Sequence, residues 1–190
     1  MTPVKYWMIG FLVAPLCLAA CGDDDGGDGN ESEVITTVNA TFTPSGGGAF
    51  ETFSWEDLDG VGGQAPTIDS ITLAAGTTYT LAIEFLDERD PANVIDITEE
   101  VSEEAEEHEV FFLGTAVSSG LVSVTVLDQD PNGLPLGLDS EVVTSQAGTG
   151  VLRVQLQHQP PINGQPVKTA NSTEDDGEPD VIANFPITVQ

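Results

Sequence analysis

Apolar and polar residues alternate with a period of two along much of the chain beyond residue 33. The first alternating segment places five residues on one face: Val34, Thr36, Val38, Ala40 and Phe42. This alternation is typical of a β-strand with one buried face. The same pattern predicts further strands over residues 49–55, 67–73, 77–87, 110–113, 121–128, 138–145, 150–158 and 181–189.

Turn-forming stretches rich in glycine and proline separate these segments, and the spacing is too short for repeated βαβ units. We predict one hairpin between 34–42 and 49–55, and a second between 67–73 and 77–87. Eight to nine short strands of this kind favour an all-β fold, an antiparallel immunoglobulin-like β-sandwich. A closed sheet is the alternative architecture.

One segment, residues 97–108, has helical character. Asp96 and Glu99 have the spacing of a capping box. One stripe of the helix would face the core: Ile97, Val101, Ala105 and His108. Glutamates four residues apart repel each other by a few tenths of a kcal/mol per pair, and those at the C-terminal end oppose the helix dipole. We therefore predict a short helix that salt stabilises.

The first 20 residues have the layout of a secretory signal, with a charged start, an apolar run from Trp7 to Ala20 and small residues before the cleavage point. The run is too short to span a bilayer. The tetrapeptide Leu18-Ala19-Ala20-Cys21 resembles the lipobox of bacterial lipoproteins. That resemblance implies acylation of Cys21, including palmitate, at the start of the mature protein. An ordinary secretory signal that ends near a cysteine is the alternative.

Residues 21–33 follow as a lipidated cysteine and an acidic segment without apolar residues, which predicts a flexible tether. The residue after Cys21 is Gly22 and not the aspartate that retains enterobacterial lipoproteins at the inner membrane, so the resemblance implies the outer membrane. Asp23-Asp24-Asp25 resembles the export signal of Bacteroidota lipoproteins to the cell surface, with a plain solvated spacer as the alternative. Residues 34–190 are then expected to form a single β-sandwich domain.

Charge and cysteine content narrow the classes of partner. The chain carries 32 acidic and four basic residues, and after loss of Lys5 with the signal only Arg89, Arg153 and Lys168 remain basic. A nucleic-acid partner, or a membrane bound through basic residues, requires a basic surface, so the sequence predicts neither. Membrane attachment is expected through the lipid alone. With Cys17 removed and Cys21 acylated, no thiol remains for a disulfide, a metal or a nucleophile.

The acidic excess predicts a saline habitat and a melting temperature that rises with sodium chloride from dilute solution to about 1 M. At about 1 M salt the screening length falls to about 3 Å, which removes most of the repulsion among the 32 carboxylates. Thermal unfolding followed by circular dichroism, with sucrose of equal osmolarity as the control, measures the effect. A flat or falling melting temperature would contradict this prediction.

A calcium site is one candidate for chemistry. The loop that starts at Asp128 has oxygen-bearing side chains at its first, third, fifth and twelfth places around a glycine turn: Asp128, Asp130, Asn132 and Asp139. This spacing resembles that of calcium-binding loops. The alternative is a hairpin turn in which the same side chains cap backbone amides.

The two histidines of the chain, His108 and His158, are the second candidate. If they met, together with a glutamate, they would suit zinc or copper, because imidazole is a preferred ligand of both metals. The alternative for a histidine at a strand end is an ordinary edge residue with its hydrogen bonds satisfied.

Enzyme signatures are missing from the sequence. We find no GxSxG elbow, no HExxH pair and no glycine-rich phosphate loop. Pairs of carboxylates abound among 32 acidic residues, so their presence does not indicate a glycosidase. We therefore predict a protein that is not an enzyme, with a carbohydrate-active hydrolase as a remote alternative that would need a cleft with paired carboxylates and aromatic residues.

Several short segments resemble a family of small uncharacterised Bacteroidota lipoproteins across most of the mature chain. Besides the lipobox they are Ile35-Thr36-Thr37, Trp55–Gly60, Thr77–Leu81, Asp96–Glu100, Glu107-His108 before Phe111-Phe112, Gly148–Gly150 with Leu152-Arg153, and Phe185–Gln190. Some members carry the label of a type 1 periplasmic binding fold, whose alternating strands and helices this sequence lacks. The resemblance implies an envelope lipoprotein, for which we predict a binding or structural role towards a protein, a glycan or a cation.

Overall fold

Two β-sheets form the bulk of the structure, a computed structural model that describes residue 1, residues 33–60 and residues 62–190. The predicted lipobox with Cys21, and all of the predicted tether except Glu33, lie outside the described residues. The elements in chain order are β1 (Thr37–Pro44), β2 (Glu51–Glu56), β3 (Thr67–Ile68), β4 (Ile71–Leu73), β5 (Thr78–Asp87), β6 (Ile95–Asp96), α1 (Ile97–Glu103), β7 (His108–Leu113), α2 (Thr115–Ser118), β8 (Val122–Val126), β9 (Asp139–Thr144), β10 (Gly148–His158) and β11 (Glu178–Val189).

The larger sheet has seven strands in the order β3-β2-β1-β5-β9-β8, with β6 paired to β5. The smaller sheet has four strands in the order β4-β11-β10-β7. Neither α1 nor α2, the two helices among the described residues, is long and apolar enough to cross a membrane. The predicted all-β sandwich is confirmed.

The core consists of the inward faces of both sheets. In β11 every second residue is buried, as the period of two predicted: Val181, Ala183, Phe185, Ile187 and Val189. Phe42 of β1 packs edge-on against Phe53 of β2 and Tyr79 of β5, with both ring-centroid distances at 6.1 Å. The predicted hairpin of 34–42 with 49–55 is confirmed as the antiparallel pair β1–β2.

Residues 67–73 do not form one strand, which corrects the second predicted hairpin. The segment changes sheets: β3 pairs with β2 in the larger sheet, whereas β4 pairs with β11 in the smaller sheet and runs parallel to it. The corner lies at Asp69, whose side chain accepts a hydrogen bond from the Ser54 amide. Because of this split and the short β6, the described residues contain eleven strands rather than eight or nine.

Helix α1 is short, as predicted, but it ends five residues before His108. Its N-cap is Asp96, whose carboxylate accepts a hydrogen bond from the Thr98 amide. The last turn holds no basic residue, so nothing offsets the glutamates that face the negative end of the helix dipole. The prediction of a helix through His108 was therefore wrong, and His108 begins β7 instead.

The outer face of β10 is covered by the loop of residues 159–177, which we call the covering loop. Gln155 and Gln157 point to that face yet are buried, and Gln155 Nε2 donates to the Glu174 carbonyl at 3.1 Å. The loop returns to β11 through Gly177, which has a φ of +85°. A Cβ atom there would clash with the His158 carbonyl oxygen, so only glycine fits so close to the end of β10.

Candidate functional site

The two histidines meet at one end of the smaller sheet. His108 is the first residue of β7 and His158 the last residue of β10, and the antiparallel register of the two strands places them opposite each other. Their rings stack with centroids 4.6 Å apart and planes 12° apart. His108 is fully buried and His158 is 5% exposed. The hypothesis that the two histidines meet is therefore confirmed, whereas metal binding stays a prediction.

His108 faces oxygen atoms with both ring nitrogens. Nδ1 lies 3.1 Å from the Glu104 carbonyl oxygen, and Nε2 lies 3.0 Å from Glu33 Oε1. Asp180 Oδ2 is 3.8 Å from the same Nε2. A neutral imidazole carries one N–H, so it satisfies only one of the two closer oxygen acceptors. The second nitrogen requires another proton or a bound cation.

His158 and Glu33 contain polar atoms without partners. His158 Nδ1 is 3.9 Å from Glu33 Oε2, and His158 Nε2 is 3.8 Å from Glu107 Oε2, both too far for a hydrogen bond. Glu33 Oε2 and His158 Nε2 are buried and have no hydrogen-bond partner among the described residues. Such atoms are rare in proteins because each loses its hydration without replacement.

Four side chains offer ligand atoms within 4.8 Å of one another: Glu33, Glu104, His108 and His158. We call this group the histidine cluster. Glu33 lies 75 residues before His108, in the segment predicted to be a flexible tether. That prediction was made from composition, which gave no sign that Glu33 contacts the fold. The prediction that a glutamate would join the histidines did not identify which one.

Asp180 and Glu33 are two carboxyl groups that lie beside the histidines, with the side chain of Asp180 fully buried. Burial raises the pKa of Asp180 to about 9, and the nearby charge of Glu33 adds to this effect. Burial also acts to raise the pKa of Glu33, but the hydrogen bond with His108 and the charge of His108 lower it to about 2. Of the two carboxyl groups, Asp180 is thus the one whose pKa is raised and Glu33 the one whose pKa is lowered.

A second buried ionic group lies under the covering loop. Lys168 of that loop donates to the Ala105 carbonyl at 2.7 Å, and its Nζ lies 3.1 Å from Asp130 Oδ2. Burial alone would raise the pKa of Asp130, but hydrogen bonds from the Leu134 amide and Lys168 bring it below its usual value. Burial raises the pKa of Glu109 to about 7 although Lys168 opposes the shift. Lys168 thus ties the covering loop to the turn after β8.

The predicted calcium loop is a capped turn. Asp128 accepts hydrogen bonds from the amides of Gly137 and Leu138, and Asp130 accepts from the amides of Asn132 and Leu134. Asn132 itself donates to Glu106 at 2.6 Å. Asp139 begins β9 and is exposed. This arrangement matches the turn alternative, although calcium binding itself stays a prediction.

Within residues 33–60 and 62–190, one group of three or more converging histidine, aspartate or glutamate ligands is present, and it is the histidine cluster. The side chains of Asp128, Asp130 and Asp139 do not converge in this way. The structure thus unites the zinc or copper candidates and keeps the calcium candidates apart.

One surface depression, of about 600 Å³, lies beside α1. Its acidic lining residues are Asp96, Glu99, Glu103 and Asp139, and no aromatic residue lines it. It lacks the combination of paired carboxylates and aromatic residues that the hydrolase alternative requires. We therefore find no support there for that alternative.

Comparison of the chain with protein-family models, curated proteins and solved structures finds no match. Its function therefore has to be inferred from the residues and contacts of this chain.

Proposed function

We propose that this protein is a lipid-anchored lipoprotein of a bacterial outer membrane, with a non-catalytic binding or structural role at the periplasmic or cell-surface face. The observation that carries the proposal is the lipobox Leu18-Ala19-Ala20-Cys21, followed by a dozen residues without an apolar side chain. The fold begins where that segment ends, since Glu33 is already held by His108. At about 5–6 Å × √n, such a tether holds the sandwich about 20 Å from the lipid.

The resemblance to uncharacterised Bacteroidota lipoproteins supports the same assignment, because its segments extend from the lipobox to the last strand. The lipid is the expected membrane contact. Lys168 is buried against Asp130, and Arg89 pairs with Asp87 at 2.5 Å. Two of the three basic residues beyond the signal are thus occupied by carboxylates of the same chain.

The charge of the chain favours a partner of positive charge. Acidic residues outnumber basic ones by 32 to four, and complementary charge accelerates encounter with a cationic partner and disfavours an anionic one. A basic surface of an envelope protein, or a glycan bridged by cations, fits this chemistry. Nucleic acid does not.

The lipid anchor is tested by metabolic labelling with an alkyne analogue of palmitate in a bacterium that processes lipoproteins. We expect label and membrane fractionation for the wild-type chain and loss of both in Cys21→Ser. Cys17→Ser is the matched control, because Cys17 lies in the signal and its replacement should leave labelling intact. Equal labelling of both variants, or none in the wild type, would overturn the proposal. Antibody staining of intact and permeabilised cells then decides the membrane face.

A further inference from the structure

We propose that the histidine cluster binds a divalent transition-metal ion, zinc or copper, with Glu33, His108 and His158 as ligands and Glu104 as the fourth. This inference goes beyond the lipoprotein assignment and does not depend on it. It rests on the chemistry of the two rings, on two orphaned buried atoms and on the kinds of ligand that converge.

The orientation of His108 leaves one ring nitrogen in need of a second proton or a metal ion. Its Nδ1 is within hydrogen-bond distance of the Glu104 backbone carbonyl, and donation there leaves the lone pair of Nε2 directed at Glu33 Oε1, 3.0 Å away. Two lone pairs at that distance repel each other, so either a second proton on the ring or a metal ion has to satisfy them. Histidine ligands of metals commonly donate their other ring N–H to a backbone carbonyl, as His108 can do here.

Two buried atoms of the cluster lack partners and are themselves potential ligands. The side chains of Glu33 and His158 are 4% and 6% exposed, and Glu33 Oε2 and His158 Nε2 have no hydrogen bond to any described residue. Both atoms belong to types that bind zinc or copper. A metal ion bound by Glu33 and by one ring nitrogen of His158 would satisfy polar groups that water reaches poorly.

The kinds of ligand in the cluster select the metal. Two imidazoles and two carboxylates match the four-coordinate sites of zinc and the nitrogen and oxygen sites of copper. Calcium takes six to eight oxygen ligands, which this cluster does not supply. The ligand atoms span up to 4.8 Å, so ligation at about 2.0–2.2 Å requires the stacked rings to tilt towards a common centre.

The position of the site indicates a structural role for a bound ion. Its ligands come from the root of the tether at Glu33, from the turn between α1 and β7, from the start of β7 and from the end of β10. A bound ion would link Glu33, at the end of the tether, to the strands β7 and β10 of the smaller sheet. Metal occupancy would therefore fix the point at which the tether leaves the sandwich.

The test is calorimetric titration of zinc, then copper, then calcium into the full mature lipoprotein, purified in detergent and stripped with a chelator. Sodium chloride at about 1 M screens nonspecific binding to surface carboxylates. We expect one equivalent of zinc or copper to bind saturably and to raise the melting temperature, with no saturable heat from calcium.

Variants assign the site. Glu33→Gln and His158→Gln should each weaken binding by more than about tenfold, since even outer-sphere partners of a metal contribute about 10–100-fold. Glu103→Gln is the matched control, an exposed glutamate at the end of α1 that is not a ligand. Circular dichroism verifies the fold of each variant, and Glu33→Gln, which keeps both histidines and the size of the glutamate side chain, serves if a histidine variant fails to fold. No saturable binding of either metal, or equal binding by Glu33→Gln, His158→Gln and Glu103→Gln, would overturn the proposal.

Discussion

Replacement of Lys168 by methionine is expected to lower the free energy of unfolding by about 3–5 kcal/mol, the usual cost of removing one partner from a buried ion pair. The Lys168 side chain is 1% exposed and that of Asp130 is fully buried. Methionine keeps most of the length of the side chain but removes the charge. Asp130 is then left as a buried carboxylate whose remaining partners are two backbone amides.

The measurement is urea unfolding of wild type and variant, together with the melting temperature. For a domain of this size we expect a decrease of roughly 6–20 °C, because each kcal/mol corresponds to about 2–4 °C. Arg89→Met is the matched control. Its side chain is 57% exposed beside Asp87, so its ion pair contributes about 0–1 kcal/mol. An equal loss of stability in both variants would show that the burial of Lys168 has no energetic consequence.

Phe185→Ala is expected to destabilise the protein by about 3–5 kcal/mol, the range for deleting a buried phenylalanine side chain. Phe185 is fully buried in β11, opposite the buried Leu152 of β10. The two strands are fixed by a long antiparallel pairing, so the cavity cannot close fully. The loss combines lost burial of apolar surface with the cost of that cavity.

Ile182→Ala supplies the control for Phe185→Ala on the same strand. Ile182 is 39% exposed on the opposite face of β11, and a substitution there should cost at most about 1 kcal/mol. Chemical unfolding of both variants, with the denaturant slope checked for constancy, measures the difference. If Phe185→Ala lowered the free energy of unfolding by about as much as Ile182→Ala does, the two sheets would not pack as described.

The sequence is most informative where one face of a strand is buried. In β11 the alternation of apolar residues correctly identifies the inward face, because a period of two assigns every side chain to a face. The alternation of apolar residues gives a wrong prediction over residues 67–73, because it indicates which face of a strand is apolar but not which sheet the strand joins. The pairing of β4 with β11 depends on a chain end more than a hundred residues away.

Only part of the histidine cluster can be predicted from the sequence. Residue type identifies His108 and His158 as metal-ligand candidates, and nothing in their local sequence places them opposite each other. That juxtaposition follows from the register of β7 with β10, which local composition does not encode. Glu33 is hidden for another reason: a glutamate in an acidic, glycine-rich run has the composition of a tether even when its side chain is buried.

The burial of Lys168 has a consequence for proteolysis. Trypsin-like proteases cut after lysine and arginine, and the chain beyond residue 20 offers three such points. Lys168 is buried, and Arg153 lies within β10 between two paired strands. Among the three, only the bond after Arg89 lies in an exposed loop. The folded domain therefore presents such enzymes with a single accessible target, and limited trypsin digestion of the folded chain should cut at Arg89 first.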